Sequence, residues 1–321
     1  MSFIIKPYEA KYSDTLIELA IKNYHMEREH ASSLQKDIDP NYFSRNLHEL
    51  FSKGICKVAL ENNDVVGFLA FDQDASVAAS PLYGYGINHT KRGEIISKLF
   101  QSAASILCEE YVKEYWINVY AHDLDVLWTY IMSAFAMDVT NVVRDTNTPI
   151  LSKAVDYEFR EVDKNELSKY KLDVIDLYRS LINHLRVSPV FYHCKYFLPI
   201  EDRFEDFLSD SIRMFAVFDG NKLIGMVNAE PPDNGFTIED EEAVGLTDLL
   251  IASEYRRNGI GIALLDYANE ELKKSGVKRI FVTHGTINPT ARGFWDKYFT
   301  NYSYTMMRQI DPDMLGVIRS I

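Results

Sequence analysis

Cysteine is scarce in this chain. Cys56, Cys108 and Cys194 are spread over 321 residues. There is no C-x-x-C pair and no Cys/His metal spacing, and an odd count fits a reducing compartment. Long apolar runs are missing too: no uncharged stretch reaches the ~20 residues that span a bilayer. The opening MSFIIKPYEAKY lacks the basic segment and long apolar run of a secretory signal. Positive charge is outnumbered, with 34 Lys and Arg against 47 Asp and Glu for a net charge of −13. That argues against a general nucleic-acid binder, whose affinity comes mostly from neutralising phosphates. It is compatible with a cationic substrate such as an amine, although its first meaning is solubility. The expectation is a cytoplasmic protein with no metal, no nucleic-acid partner and no membrane partner.

What is present is apolar and aromatic: 47% of the residues are hydrophobic, among them 20 Tyr and 18 Phe. The length suits about two domains, and the two halves rhyme. FIIKPYE opens the first as a short strand and YEFREVD the second, with Phe159 lying 156 residues after Phe3. Each is followed by a helical stretch, DTLIELAIKNYHMEREH or LDVIDLYRSLINHLR. Hairpins come next, around Asn62-Asn63 and around Asp219-Gly220-Asn221, where turn residues separate alternating apolar runs. Gly67 and Gly225 then match at an offset of 158, and Val119 and Val282 at 163. Each half continues as strand, helix, strand, helix. Offsets that rise along the chain mean one duplicated α+β unit with small insertions. The break is expected in RDTNTPILSKAVD, near Pro149, which gives domains 1–150 and 151–321.

The second half contains an unusual join, YRRNGIGIALLDYANEEL, from Tyr255 to Leu272. Ile260, Leu264, Leu265, Ala268 and Leu272 recur at the three-to-four spacing of an amphipathic helix. Its first turn therefore follows Arg256-Arg257-Asn258-Gly259-Ile260-Gly261. Glycines let backbone approach a ligand, successive N–H groups at a helix start form an anion site, and two arginines add charge. The chemistry served is a phosphate or pyrophosphate. A Rossmann fingerprint needs a parallel βαβ unit and a later acidic residue, whereas hairpins come first here. A Walker loop needs Gly-Lys-Ser/Thr, which is absent.

The hexad Arg256 to Gly261 resembles the Arg/Gln-x-x-Gly-x-Gly/Ala signature of the GNAT acyltransferase superfamily. NPTARGFW, Asn288 to Trp295, resembles that family's Asn-x-x-Ala-x-x-Phe-Tyr motif, and the order of elements matches as well. The resemblance covers roughly the second half and extends weakly over the first. It implies two tandem GNAT-like domains of mixed α+β class. Each has a central, mostly antiparallel sheet flanked by helices, and the first is degenerate. In the first half NHTKRGEIISKLF offers only Gly93 after Lys91 and Arg92, and Asp125 stands in place of the motif's Asn. The resemblance further implies acetyl-CoA as acyl donor, held between two splayed central strands. Leu249, Leu250 and Ile251 would pair with the pantetheine arm. Arg256, Arg257, Asn258, Gly259, Ile260, Gly261 and Ile262 would hold the pyrophosphate. Asn288 would bond near the thioester, with Trp295 beside it.

The implied reaction is direct attack of a primary amine on the acetyl thioester in a ternary complex. The amine must lose a proton to a base. The developing oxyanion needs a fixed donor, for which the Leu250 or Ile251 amide is placed. Asp248 is the leading base, because an unpaired carboxylate inside an apolar strand is costly. Glu241, Glu242 and His284 are alternatives. The family's usual acid is the Tyr that ends the motif, but this chain has Trp295 there, and an indole is not a useful acid. Tyr298, one helical turn later, is the substitute candidate. The aromatic stretch Ser188 to Phe197 either lines an acceptor pocket or is core, and the acidic run Ile238 to Val244 either attracts a cation or is a solvated loop. The acceptor is expected to be a small-molecule amine or a peptide, and the chain a monomer or weak homodimer. The alternative function is an acyl-CoA-binding sensor or scaffold without turnover.

Overall fold

In the computed structural model the described residues are 3–192, 202, 204, 205, 207–209, 211–232 and 239–311. They fall into two compact units, one of the described residues within 3–141, 239 and 301–311, the other of those within 142–232 and 240–300. A break near residue 150 would have left the last strand with the second unit. The structure instead gives residues 301–309 to the first.

In the first unit β1 (Ile4–Pro7), β2 (Ile55–Glu61), β3 (Asp64–Asp74), β4 (Val77–Ser80) and β6 (Glu114–Tyr120) lie in that order, and β5 (Tyr85–Ile87) pairs with β3. All these pairings are antiparallel except the parallel one between β4 and β6. The chain's last strand, β13 (Thr300–Gln309), runs antiparallel along β6, from Ser303 opposite Tyr120 to Gln309 opposite Glu114. Thr305 Oγ1 donates to Asn118 Oδ1 at 2.7 Å inside that pairing. Helices α1 (Ser13–His30), α2 (Pro40–Lys53), α3 (Arg92–Glu109) and α4 (Leu124–Met132) flank the sheet. Helix α2 is an addition to the duplicated pattern, yet its start follows ordinary rules. Asp39 caps it by accepting the Asn41 amide at 2.9 Å, and Pro40 occupies the first turn, where no amide partner is needed. Strand β7 (Ala136–Asp145) is a second addition; its residues 136–141 belong to this unit and 142–145 to the other.

In the second unit β8 (Glu158–Val162), β9 (Arg213–Asp219), β10 (Lys222–Glu230) and β11 (Ala243–Ile251) form an antiparallel meander, and β12 (Arg279–Gly285) joins β11 in parallel. Strand β9 alternates cleanly between two faces. Phe215 and Val217 of β9 share one core with Ile260, Leu264, Leu265, Ala268 and Leu272 of α7 (Ile260–Lys274). Met214, Ala216 and Phe218 share the other with Val174, Leu177 and Tyr178 of α6 (Lys171–Leu185), which follows the short α5 (Lys164–Leu167). The last helix, α8 (Pro289–Trp295), has seven residues. The stripe predicted for α7 is thus the stripe it buries. Each unit is a mixed sheet flanked by helices.

Candidate active site

The parallel pairing of β11 with β12 runs only from Ala243 and Arg279 to Leu246 and Val282. Beyond it β11 continues to Ile251 along β10, while β12 continues to Gly285, so the two strands part. A β-bulge lies at the parting. Asn228 faces Thr247 and Met226 faces Leu250, so Asp248 and Leu249 stand opposite the single residue Val227. Asp248 has φ +54°, the left-handed region that Asp and Asn tolerate better than other side-chain-bearing residues. Its position in an apolar run is therefore explained by the bulge, which re-aims side chains. Asp248 is half-buried and lines the cavity that opens there.

That cavity measures about 970 Å³. Its walls are the splayed strand ends, Leu181, His184 and Leu185 of α6, the start of α7, and one side of α8. The size lies at the upper end of ligand pockets.

At the mouth of the cavity the chain makes one 3₁₀ turn, Ser253–Tyr255, and then the loop that starts α7. Arg257 has φ +67° and Gly259 φ +82°. Gly259 is the N-cap: its carbonyl accepts the Ala263 amide at 3.1 Å, but it has no side chain with which to cap. The amides of Ile260, Gly261 and Ile262 therefore face outward without an intrahelical acceptor, at the positive end of a 15-residue helix with no acidic residue in its first turn. A Cβ built on Gly261 would meet Ile251 and Leu249 at 3.7 Å and Phe294 at 3.8 Å. A methyl group fits there and anything longer enters the cavity. The two arginines differ in their roles. Arg256 is spent on structure, donating from Nε to the Ile251 carbonyl at 2.8 Å and from Nη2 to Ser180 Oγ at 3.1 Å, which ties the end of β11 to α6. Arg257 is exposed and makes no ion pair among the described residues.

Two imidazoles face the cavity. His284, on β12, is buried. Its Nδ1 lies 3.3 Å from the Gly285 carbonyl, which only accepts, so Nδ1 carries the proton and Nε2 keeps its lone pair. Nε2 is buried with no hydrogen-bond partner, and burial lowers the imidazole's pKa against a smaller opposing contribution from the Gly285 backbone. The neutral, proton-accepting form is thereby favoured. His184, near the end of α6, points Nε2 at Asn288 Oδ1 at 3.3 Å. Asn288 is the N-cap of α8, with Oδ1 also accepting the Thr290 and Ala291 amides at 3.1 and 3.3 Å. Its oxygen is committed, and its amide NH2 is the group left for a ligand. Nothing along α6 marks His184 in the sequence; it matters only because the helix ends over the splay.

The remaining candidates separate. Trp295 is buried and lines the cavity, packed edge-on against Phe294 at 4.9 Å and Phe299 at 5.2 Å. Tyr298 does not line it. Helix α8 ends at Trp295, so a one-turn extrapolation from Trp295 fails. The Tyr298 ring instead packs on Phe294 at 5.4 Å, and its backbone carbonyl accepts from Arg144 at 3.4 Å. Glu242 lies at the opposite end of β11 from the splay, paired with Lys278 at 2.6 Å and Arg279 at 3.2 Å. Glu241 precedes that same end and is exposed. Residues 193–197 of the aromatic stretch and Ile238 of the acidic run lie outside the described residues.

The first unit fills the corresponding place with its own side chains. Asp123, rather than Asp125, is the N-cap residue of α4. Arg92, the first residue of α3, donates to both carboxylate oxygens of Asp123, to the Ile87 carbonyl, and to Asn23 Oδ1 at 3.0 Å. Beside it Glu27, fully buried, accepts from the His122 amide at 2.8 Å and from His122 Nδ1 at 2.7 Å. Burial raises the Glu27 pKa, partly opposed by those bonds from His122. Among the described residues no group of three or more His, Cys, Asp or Glu is placed to hold a metal ion, and no helix is long and apolar enough to cross a membrane.

Residues 178–299 match the model of the acetyltransferase (GNAT) family. A GCN5-related N-acetyltransferase from Sphaerobacter thermophilus shares the fold over 96% of this chain and 95% of its own, with TM-score 0.56 and 10% identity. A tandem GNAT protein from the clavulanic acid biosynthesis pathway aligns over 96% and 98% at TM-score 0.45 and 13% identity. A GNAT-family acetyltransferase from Colwellia psychrerythraea aligns over 96% and 100% at TM-score 0.47 and 13% identity. No match is found among curated proteins.

Proposed function

Because residues 178–299 form a GNAT acetyltransferase domain, we propose that the protein is a CoA-dependent N-acetyltransferase acting on a primary amine. The observation that carries this reading is the uncapped start of α7 at the mouth of the strand splay. It supplies an anion cradle in the wall of the same cavity that the buried His284 lines. The cradle from Arg257 to Ile262 fits a pyrophosphate, and the stretch Leu249 to Ile251, where β11 has parted from β12, fits an amide-bearing arm. When bound there, acetyl-CoA supplies the activated acetyl carbon and the thiol leaving group.

The chain's own groups do the rest. Nε2 of His284 accepts the proton that the attacking amine must lose. A backbone amide between the bulge and the strand end, Leu249 to Ile251, donates to the carbonyl oxygen as charge develops on it. With Tyr298 outside the cavity, the imidazolium of His284 returns the same proton to the departing sulfur, so one residue serves both transfers. Asp248, at the bulge, orients the incoming ammonium before it is deprotonated. The Asn288 amide NH2 holds the donor's arm, and Trp295 walls off water.

One observation favours a second reading. No tyrosine acid at the motif's end reaches the cavity, as suits an acyl-CoA-binding sensor that has lost turnover. The two readings separate by measuring acetyl-CoA affinity calorimetrically and thiol release against a panel of small-molecule amines and peptides. Release with one amine class, lost in His284→Gln while binding persists, is the expected result. Binding without release from any acceptor in the panel would leave the sensor. No binding at all would overturn both.

A further inference from the structure

Acetyl transfer to a primary amine frees more protons than one base can place. An alkyl amine reaches the site as an ammonium ion with three N–H bonds, since it holds its extra proton up to about pH 10. The product amide keeps one of these protons and the released thiol takes another. The third must reach water. On the acetyltransferase reading above, on which this inference rests, His284 carries a single proton from nitrogen to sulfur. Its Nε2 is buried, so the proton it holds passes to the sulfur rather than to solvent.

We propose that His184 is a second base, which takes the first proton from the bound ammonium, holds it through the attack and then releases it to water. Both imidazoles hang on one turn of chain. The Gly285 carbonyl accepts the Asn288 amide at 3.0 Å and faces His284 Nδ1 at 3.3 Å. Asn288 Oδ1, fixed by the Thr290 and Ala291 amides, faces His184 Nε2 at 3.3 Å. An amide oxygen only accepts, so Nε2 of His184 carries the proton and Nδ1 keeps the lone pair. The two tautomers are therefore opposite: His284 offers Nε2 and His184 offers Nδ1. His184 lines the cavity but is only half-buried, in the last turn of α6, so a proton placed on it exchanges with water. Protonating Nδ1 leaves the Nε2–H bond to Asn288 intact, and the ring takes up charge without losing its anchor. The other titratable side chains around the cavity, among the described residues, are Asp248, Tyr255, Arg256, Arg257, His284 and Lys297. The arginines, the lysine and the tyrosine already carry their protons, and His284 is engaged with the sulfur. Asp248 is the remaining competitor, and a carboxylate is ordinarily a weaker base than an imidazole.

The steps balance. His184 Nδ1 takes one proton from the ammonium, which leaves a neutral amine. The nitrogen lone pair forms the new C–N bond, and the carbonyl pair moves onto oxygen. His284 Nε2 takes the second proton from nitrogen. The carbonyl re-forms, the C–S bond breaks with its pair going to sulfur, and His284 returns its proton there. The amide keeps the third N–H, and His184 gives its proton to water.

The test uses the full chain, acetyl-CoA and the amine that gives the most thiol release in the panel above. It measures kcat/KM for that amine from about pH 7.5 to 9.5, below the ~10.4 of an ordinary alkyl amine. The wild type draws on the ammonium form, so its profile is flat. His184→Gln keeps a donor for Asn288 Oδ1 but has no basic nitrogen, so it draws only on free amine. Its kcat/KM should fall roughly 100-fold or more at the low end, and the loss should shrink about tenfold for each pH unit above it. Acetyl-CoA affinity, measured calorimetrically, should stay near that of the wild type. His184→Ala should behave alike, and added imidazole should flatten its profile again. A role confined to holding Asn288 would lower the profile by one factor at every pH, and that parallel shift overturns the second base. So does a flat, undiminished profile in His184→Gln, a wild-type profile that itself climbs, or a climb that appears in Asp248→Asn instead. Thiol release that needs His284 but not His184 refutes this inference alone, whereas no release from any amine refutes the acetyltransferase reading and the second base with it.

Discussion

Replacing Gly259 by alanine tests the anion cradle at a single torsion. The residue sits at φ +82°, and a Cβ placed there meets nothing nearer than Val155 Cγ1 at 3.9 Å. The substitution therefore introduces no clash, only the cost of a left-handed conformation for an L-residue, about 1–2 kcal/mol. That amount has two places to go. If the loop holds its shape, the cost appears as lost stability of the unliganded protein, and acetyl-CoA binds as before. If the loop relaxes, the outward amides of Ile260 to Ile262 lose their alignment, and the cost appears as roughly 5–30-fold weaker binding. The sum of the two losses is bounded by the torsional cost. Gly259→Asn should lose less, because Asn tolerates this region. Gly259→Asp should lose most of the affinity even where it folds normally, because it sets a carboxylate against the pyrophosphate. Calorimetric titration with acetyl-CoA, paired with denaturant unfolding of the free protein, separates the two losses. Gly259→Asp binding with wild-type affinity would refute the cradle, and Gly259→Ala changing neither quantity would refute the conformational argument.

The neighbouring glycine behaves oppositely. Gly261→Ala should leave affinity within about threefold, since a methyl group fits against Ile251, Leu249 and Phe294 at 3.7–3.8 Å, whereas Gly261→Leu should block binding in the same titration. For His284, burial holds the folded pKa below the ordinary value of 6.5. The unfolded chain therefore takes up its proton first, so the contribution to stability is fully present above pH 6.5 and is lost as pH falls through the lowered value. The acid limb that His284 gives kcat/KM should likewise lie below pH 6.5, and a pH–rate profile of the wild-type protein checks it. Glu27 has the reverse sign. Its folded pKa is raised above the ordinary 4.5, so stability declines as pH rises from there through the raised value. Glu27→Gln, which keeps an acceptor for the His122 amide, should flatten that decline in urea melts taken at several pH values.

The parts of the fold that repeat a strong local pattern are legible in the sequence. The apolar stripe of α7, the two hairpins and the glycine-bearing helix start all follow from spacing, because helix and strand periods are local properties. Strands β7 and β13 do not. AMDVTNVVRD and TNYSYTMMRQ carry strand-forming residues, but their partners lie far away in the chain, and the duplicated pattern looks complete without them. The bulge at Asp248 shows in the sequence only as an oddity, a carboxylate in an apolar run, because a bulge is a property of two strands and not of one. The Tyr298 extrapolation fails for a plainer reason: no spacing rule says where a seven-residue helix stops. His184 and the His284 tautomer require the third dimension altogether. Each is defined by an acceptor on another segment or by the direction of a backbone carbonyl.

The strand β13 has a consequence for synthesis. Its partner β6 ends at Tyr120, and β13 begins at Thr300. At the ~5–20 residues per second of a ribosome, the nascent first unit waits roughly 10–40 s for the strand that covers β6. During that interval the edge of β6, with Tyr115, Ile117 and Val119 in it, is open to any passing strand. A stop codon just before residue 300 would therefore be felt first in a part of the protein translated far earlier. A chain cut short before residue 300 should emerge as a sheet looking for its edge, dependent on chaperones and prone to aggregate, however intact the later half's own helices are.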